Sequence, residues 1–287
     1  MKVLVTGGAG FIGSNLIEKL LEQDYEVISI DNYSTGSKNN HHNHKGVKYV
    51  ESDIRNIDDY SLDGKPGVIF HLAAIARITP SFEHPEDYFT TNANATLKIA
   101  KYCSKNKIPL IYAGSSSHHS GKFKNPYTFS KDIGEEIVKL FQEHYGLKAS
   151  IARFYNVYGP RHLKEGGYCT LIGVWENCIE KKLPITIYGD GSKRRDFTHV
   201  EDIIDGLLLI NEKQAWGHIF ELGRGKNHSV KEIADMFGTE VKYAPDKKGE
   251  AIDTLCTDDL AKKMLGWKPK KDIKDHIKKF VKKSSKR

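Results

Sequence analysis

Lys2-Val3-Leu4-Val5-Thr6-Gly7-Gly8-Ala9-Gly10-Phe11-Ile12-Gly13-Ser14 opens the chain, and its reading decides the fold. Five residues of strand character run straight into glycines. Phe11, Ile12, Leu16, Ile17, Leu20 and Leu21 then recur at helical spacing. Gly8-x-Gly10-x-x-Gly13 therefore sits between a strand and an amphipathic helix, the context in which this spacing signals dinucleotide binding. Glycine lets the main chain approach a pyrophosphate, and the N–H groups at the helix start face its charge. A second strand, 26–30, ends at Asp31. That acid lies about 20 residues past the glycines, where a carboxylate reaches the adenosine ribose hydroxyls.

Short apolar runs at 2–6, 26–30, 47–50, 67–71, 108–113 and 149–153 read as strands. Several lack polar alternation, as buried parallel strands do. Helical patterns lie between them near 11–22, 84–105 and 127–145. This alternation predicts an α/β fold, a Rossmann-type doubly wound parallel sheet. After Pro160 the rhythm loosens. Residues 1–162 are expected to form the nucleotide-binding domain and 163–287 mainly a smaller C-terminal substrate-binding lobe, with 197–222 returning to the sheet. Within that lobe, helices are expected near 200–212, 229–237, 257–265 and 272–283, and strands at 185–188, 218–222 and 240–244.

Composition excludes several classes. The 287 residues are 39% hydrophobic, and no run approaches the roughly 18 apolar residues of a membrane span. The first apolar stretch is broken by glycine too early for a signal peptide. Cys103, Cys169, Cys178 and Cys256 are scattered, as free thiols of a reducing cytoplasm are. The net charge of +7 gathers largely in the tail 268–287. It reads as a solvated helix face, not a nucleic-acid surface, because no aromatic residues interleave with the lysines. His41, His42 and His44 lie in a polar loop without acidic or cysteine partners, so no metal site is expected there.

Tyr127-Thr-Phe-Ser-Lys131 follows Pro126, which suits a first helical turn. Tyrosine and lysine at i and i+4 share one helix face. A phenol titrates near pH 10. A neighbouring ammonium is expected to stabilise the phenolate, which can then take a proton from a sugar hydroxyl.

With these residues in hand, the sequence resembles the extended short-chain dehydrogenase/reductase family, in its nucleotide-sugar epimerase/dehydratase branch. The resemblance implies NAD as cofactor. It places Gly7, Gly10, Phe11, Ile12 and Gly13 in the cofactor loop; Asp31, Asn32, Thr35 and Gly36 at the adenosine ribose; and Asp53 and Ile54 at the adenine. It places Leu72, Ala73 and Ala74, after His71, beneath the cofactor, with Asn92 near it, and Phe154 at the nicotinamide. Asn156 follows on the substrate side. Gly189-Asp-Gly-x-x-x-Arg195-Asp-Phe resembles the segment whose arginine contacts the sugar-nucleotide pyrophosphate. Independent of that resemblance, Asp31 without an adjacent arginine favours NAD over its 2′-phosphate, and Arg195 offers a planar fork for phosphate oxygens. Plainer roles stand beside these: Asn156 as a turn cap, Arg195 paired with Asp196 or Asp202, and His71 as a packed core histidine.

Aligned on Gly121, Ser116 takes the place of the family's catalytic Ser/Thr beside Tyr127 and Lys131. The segment Ser116-Ser117-His118 lacks the acidic pair that dehydratases of the branch carry, and decarboxylases usually keep a glutamate at the position of His118. The resemblance therefore points to a 4-epimerase of a UDP-hexose or UDP-N-acetylhexosamine, through a transient 4-keto sugar. The alternatives are a nucleotide-sugar reductase or dehydrogenase and a non-catalytic nucleotide-binding protein. Two departures stand out. Only Lys122 to Pro126 separate Gly121 from Tyr127, where the family usually has a longer loop. Lys247-Lys-Gly-Glu250 stands where the family carries a phosphate-binding arginine. Thr254 falls at the position that limits the sugar pocket, and its small size implies room for an N-acetyl group. A homodimer built on the helices near 92–105 and 127–145 is the family expectation.

Overall fold

Main-chain pairing in the computed structural model, which describes residues 1–59 and 64–285, gives the doubly wound sheet. Strands β1 (Lys2–Thr6), β2 (Glu26–Asp31), β3 (Val47–Glu51), β4 (Ile69–His71), β5 (Leu110–Ser115) and β6 (Ala149–Phe154) are joined by a seventh, Ile219–Leu222. All run parallel, in the order Ile219–Leu222, β6, β5, β4, β1, β2, β3. The strand order reverses between β4 and β1, and in such sheets the crevice at that point, outside the strands' carboxyl ends, receives the ligand.

Alternation along β1 splits the core in two. Val3 and Val5 point to one face, where Leu16, Ile17 and Leu20 of the helix Phe11–Glu22 meet Ile203 and Leu207 of the helix Val200–Glu212. Leu4 points to the other face, with Ile99 and Cys103 of the helix Ala95–Asn106 and Val138 and Phe141 of the helix Pro126–Tyr145. Both faces are covered, so the interior of β1 needs no polar residue, and Val3-Leu4-Val5 has none.

A third core holds the smaller lobe. Trp175, Ile185, Ile187, Phe197, Ile233 and Phe237 pack there with Ile273 and Ile277. The division is not a simple cut in the chain. Residues 200–212 and 219–222 lie on and in the main sheet, and so do Ala261, Leu265 and Trp267, which pack into the first core. The Trp267 indole N–H donates to Asp202 O (2.8 Å) and fixes that return. Short strands that periodicity does not reveal also appear. Arg194–Asp196 pairs antiparallel with Asn227–Ser229, and Val157–Tyr158 pairs with Thr198–His199. The expected helix over 84–105 is interrupted by a π-helical stretch, Phe89–Asn94. The basic tail forms the helix Ile273–Ser284, which buries Ile273 and Ile277 and leaves its lysines outward; Lys286 and Arg287 lie outside the described residues. Among the described residues, no helix is long and apolar enough to cross a membrane.

His199 caps the helix Val200–Glu212: its Nδ1 accepts from Glu201 N (3.2 Å). Burial pushes its pKa down to about 4. Below pH 6.5 the unfolded chain protonates this histidine while the native state does not, so its contribution to stability is lost as pH falls towards 4. At pH 5 that amounts to about 2 kcal/mol. His199→Asn keeps a capping side chain and removes the titration. Denaturant titrations at pH 7 and pH 5 are expected to show a smaller acid loss in this variant than in the wild type, by about that amount. Equal losses would contradict the assignment.

Candidate active site

The carboxyl ends of β1, β2, β4, β5 and β6 open into one cleft of about 860 Å³ that extends to the smaller lobe. Its floor is made of main chain. Gly7 adopts φ +72°, and a Cβ there would stand 2.8 Å from Ala73 N and Cα. A Cβ on Gly13 would meet Gly7 O at 2.1 Å. Glycine is therefore required where the loop crosses the end of β4 and where the helix starts. No side chain caps that helix, and Gly10, Phe11, Ile12 and Gly13 line the cleft. Uncapped N–H groups at the positive end of the helix form a seat for a pyrophosphate.

Asp31 fixes the loop from β2. Its carboxylate accepts from Ala9 N (2.9 Å) and Tyr33 N (2.8 Å), and burial, against these bonds, raises its pKa. Asn32 Nδ2 donates to Asp53 (2.9 Å), whose carboxylate also takes a bidentate pair from Arg55. The Arg55 bonds lower the Asp53 pKa to about 2. Arg55, the guanidinium nearest this rim in sequence, is thus already engaged, and among the described residues no cation is bonded to Asp31. These residues fit a ribose with free hydroxyls, as in NAD. Thr35 and Ile54 line the same end of the cleft; Gly36 is packed against Ala9 and Asp31 beside it.

The chain leaving β4 is held by buried hydrogen bonds. Thr96 Oγ1 donates to Asn92 O (2.7 Å), so it accepts from His71 Nε2 (3.1 Å). His71 Nδ1 then accepts from Thr6 Oγ1 (2.8 Å), which in turn accepts from Ala73 N (3.2 Å). Burial pushes the His71 pKa to about 3, so the ring stays neutral and works as a brace. Leu72, Ala73 and Ala74 line the cleft above it. Asn92 was expected near the cofactor. It lies behind the cleft wall, 1% exposed, with Oδ1 accepting from Ile75 N (2.8 Å) and Nδ2 donating to Ile75 O (2.9 Å). Its part is to hold the loop after β4.

Tyr127 sits in the first turn of the helix Pro126–Tyr145, where Asn125 caps Thr128 N (2.7 Å). Its hydroxyl donates to Ser115 Oγ at 3.2 Å. The expected partner was Ser116. The difference has a local cause: β5 continues through Ser115, whose side chain caps the turn Ser116–Ser120, so the first serine of the run meets the phenol. Ser116 lines the same cleft. Burial raises the Tyr127 pKa, while the Ser115 bond and the Arg77 guanidinium pull it down. Lys131, expected beside the phenol, lines the same cleft as Tyr127. Its Nζ stands over the Tyr112 ring at 4.3 Å, and burial brings its pKa down to about 8.

His118 and His119 turn out of the cleft. His118 Nδ1 pairs with Asp132 (2.9 Å) and His119 Nε2 with Glu221 (2.9 Å), beside the buried Glu135–Arg153 pair. His118, Asp132 and Glu135 come close enough to suggest a metal, but Arg153 holds Glu135 in a bidentate grip.

At the far end lies a cluster of cations. Arg195 projects from Arg194–Asp196 with Nη2 3.3 Å from Glu250, and Lys193 pairs with Asp246. Lys247 Nζ lies 3.9 Å above the Tyr188 ring. Asn156 Nδ2 and Asp196 N both donate to Thr254 Oγ1 (3.0 and 3.2 Å). Phe154, Asn156, Arg195, Lys247 and Thr254 thus share the cleft with Tyr127. Sequence reasoning missed Ser115, Arg77 and the Glu250 pairing. Three consecutive serines hid the first, and no local pattern marks the others.

A glycine-floored nucleotide cleft with a serine-bonded tyrosine and a lysine one helical turn on defines an enzyme of the short-chain dehydrogenase/reductase class. Residues 3–223 match the model of the NAD dependent epimerase/dehydratase family, and the chain belongs to that family. It is 35% identical over 302 residues to a putative UDP-glucose 4-epimerase of Methanocaldococcus jannaschii, covering 97% of each chain. The structure of UDP-glucose 4-epimerase from Thermotoga maritima with UDP-glucose superimposes with a TM-score of 0.91 at 29% identity, covering 100% of this chain and 99% of that one. The Thermus thermophilus UDP-glucose 4-epimerase complex with NAD gives 0.88 at 28%, covering 99% of each.

The Ser115 bond makes a directional test. Removing it with Ser115→Ala takes away a group that lowers the phenol pKa. The rising limb of kcat/KM against pH, set by phenolate formation, is expected to move to higher pH. Ser116→Ala is expected to leave that limb in place. A shift in the Ser116 variant alone would return the role to Ser116.

Proposed function

We propose that the chain is an NAD-dependent 4-epimerase of UDP-sugars. The observation that carries this is the single cleft that holds the glycine floor, Tyr127 with its serine and the Arg195 cluster in sequence. Bound NAD supplies a reversible hydride acceptor. The protein's own groups supply the rest. Tyr127 takes the proton of the sugar C4 hydroxyl, and Ser115 steadies the phenolate, with Ser116 within the same cleft. Lys131 orients the cofactor ribose and adds positive charge. Arg195, Lys193 and Lys247 grip the pyrophosphate away from the reacting carbon, so the 4-keto sugar can turn over while its nucleotide stays anchored. Dehydration needs a further acid beside Tyr127, and the corresponding positions, Ser117 and His118, offer none to the cleft. Thr254 leaves room for an N-acetyl group on the sugar.

The experiment is incubation of the purified chain with UDP-glucose and with UDP-N-acetylglucosamine, followed by separation of C4 epimers. Interconversion without added cofactor is expected, and Tyr127→Phe is expected to lower kcat by at least about a hundredfold. Net consumption of added cofactor would indicate a reductase. Conversion of UDP-glucose alone would remove the N-acetyl reading.

We further propose a homodimer through the helices Ala95–Asn106 and Pro126–Tyr145, where Leu97 and Leu140 are 42% and 48% exposed. The four unpaired cysteines suit a reducing compartment, the cytoplasm. Sedimentation is expected to show a dimer that Leu97→Glu with Leu140→Glu converts to a monomer. A wild-type monomer would overturn the proposal.

A further inference from the structure

Arg77 lies in the loop after β4 and lines the cleft. Its backbone adopts φ +89°, a conformation that non-glycine residues rarely take. The loop is held there from two sides. The Tyr88 hydroxyl reaches both Ala76 O and Arg77 O at 2.9 Å, and Asn92 clasps Ile75 through its N–H and its carbonyl. Asn92 belongs to the π-helical stretch, a distortion that recurs at functional sites. A strained residue held by this many bonds is one whose side chain is being aimed.

The side chain is aimed at the reacting end of the cleft. Nε donates to Tyr168 O (3.0 Å), which fixes the plane of the guanidinium. The charge is close enough to Tyr127 for each to perturb the other. Among the described residues, no carboxylate lies within ion-pair distance of Arg77, and its two terminal nitrogens bond to no protein group. The other cleft guanidinium is supplied differently: Arg195 has Glu250 at 3.3 Å. Glu250, whose charge Arg77 also senses, is shared by Arg195 and by Lys193 at 3.7 Å. A partly desolvated guanidinium without a counter-ion is costly unless a ligand brings one, and its planar fork matches a carboxylate.

We infer that Arg77 is a specificity residue that receives a carboxylate on the sugar of the substrate, so that the preferred substrate class is a UDP-hexuronate. This rests on the proposed UDP-sugar epimerase reading and narrows it. The chemistry fits the placement. Tyr127 addresses the hydroxyl on C4, and the carboxylate of a hexuronate is carried by the neighbouring carbon, C5. A cation beside Tyr127 is therefore beside that carboxylate, whereas the pyrophosphate lies towards Arg195.

The test is calorimetric binding of UDP-glucuronic acid and UDP-glucose to the NAD-loaded full chain, wild type, Arg77→Met and Arg77→Lys, with thermal melts as a folding control. The wild type is expected to bind UDP-glucuronic acid at least about tenfold more tightly than UDP-glucose. Arg77→Met is expected to abolish that preference with UDP-glucose affinity unchanged within about threefold, and Arg77→Lys to restore part of it. Equal weakening of both ligands by Arg77→Met would assign the residue to the pyrophosphate and overturn the inference. So would a wild type that binds both alike. If UDP-glucose binds and is epimerised without preference for the acid, only this inference fails. If neither ligand binds, the epimerase reading fails with it.

Discussion

Everything at the reacting end of this molecule depends on how closely one stretch of main chain can lie on another. Gly7 passes the end of β4 with no room for a side chain, since a Cβ would stand 2.8 Å from Ala73 N. Gly13 is tighter still, since a Cβ there would stand 2.1 Å from Gly7 O. That approach leaves the start of the helix Phe11–Glu22 open towards the cleft instead of plugged by a cap. It also locks the loop after β4 against β1, because Thr6, His71, Thr96 and Asn92 pass one hydrogen-bond chain from strand to strand to helix. The nucleotide seat and the loop that carries Arg77 are therefore two sides of the same contact. A side chain at Gly7 would disturb both.

The electrostatics divide the cleft into two ends. At the lobe end, lysines and arginines already stand beside carboxylates: Lys193 with Asp246, and Arg195 with Glu250. An anion entering there, as the proposed pyrophosphate would, exchanges one anion for another. This limits the gain on binding but spares the empty site a cluster of bare cations. Around Tyr127 the charged groups are differently placed. Lys131 rests on an aromatic face, His71 is neutral, and Arg77 has, among the described residues, no carboxylate within ion-pair distance. The phenol of Tyr127 is then tuned by burial against two favourable neighbours, Ser115 and Arg77.

What the sequence disclosed follows from where local pattern and tertiary contact coincide. The glycine run and the helical register of Tyr127 and Lys131 depend on spacing within a short stretch, and Asp31 on the end of one strand, so their positions in the fold could be read directly. Central strands such as β1 and β5 were legible because, buried on both faces, they are written largely as apolar runs. Asn92 and Ser116 show the limit. Asn92 sits on the helix as expected, yet a π-helical turn rotates it onto Ile75 and away from the cleft. In Ser115-Ser116-Ser117 the serine that meets Tyr127 is decided by where β5 stops, and serine propensity does not mark that point. Arg77 was unreadable because its meaning lies in having, among the described residues, no carboxylate within ion-pair distance, which depends on separate segments brought together around the cleft.

The short segment between Gly121 and Tyr127 takes on a different sense in the folded chain. A long loop there would cover the sugar. In its place, Asn125 caps the helix of Tyr127 with one end of its amide and donates to Gly249 O (3.1 Å) with the other. Gly249 adopts φ +79°, and its Cα lies so close to the Phe82 ring that a Cβ would stand 3.0 Å from it. The segment 246–250 that carries Lys247 and Glu250 is thereby tied to the N-terminus of the catalytic helix and to the rim below Arg77. An amide that satisfies a helix end and a distant carbonyl at once is worth more than either bond alone, because breaking it exposes both. The segment that carries Lys247 and Glu250 and the helix that carries Tyr127 are thus joined through one side chain.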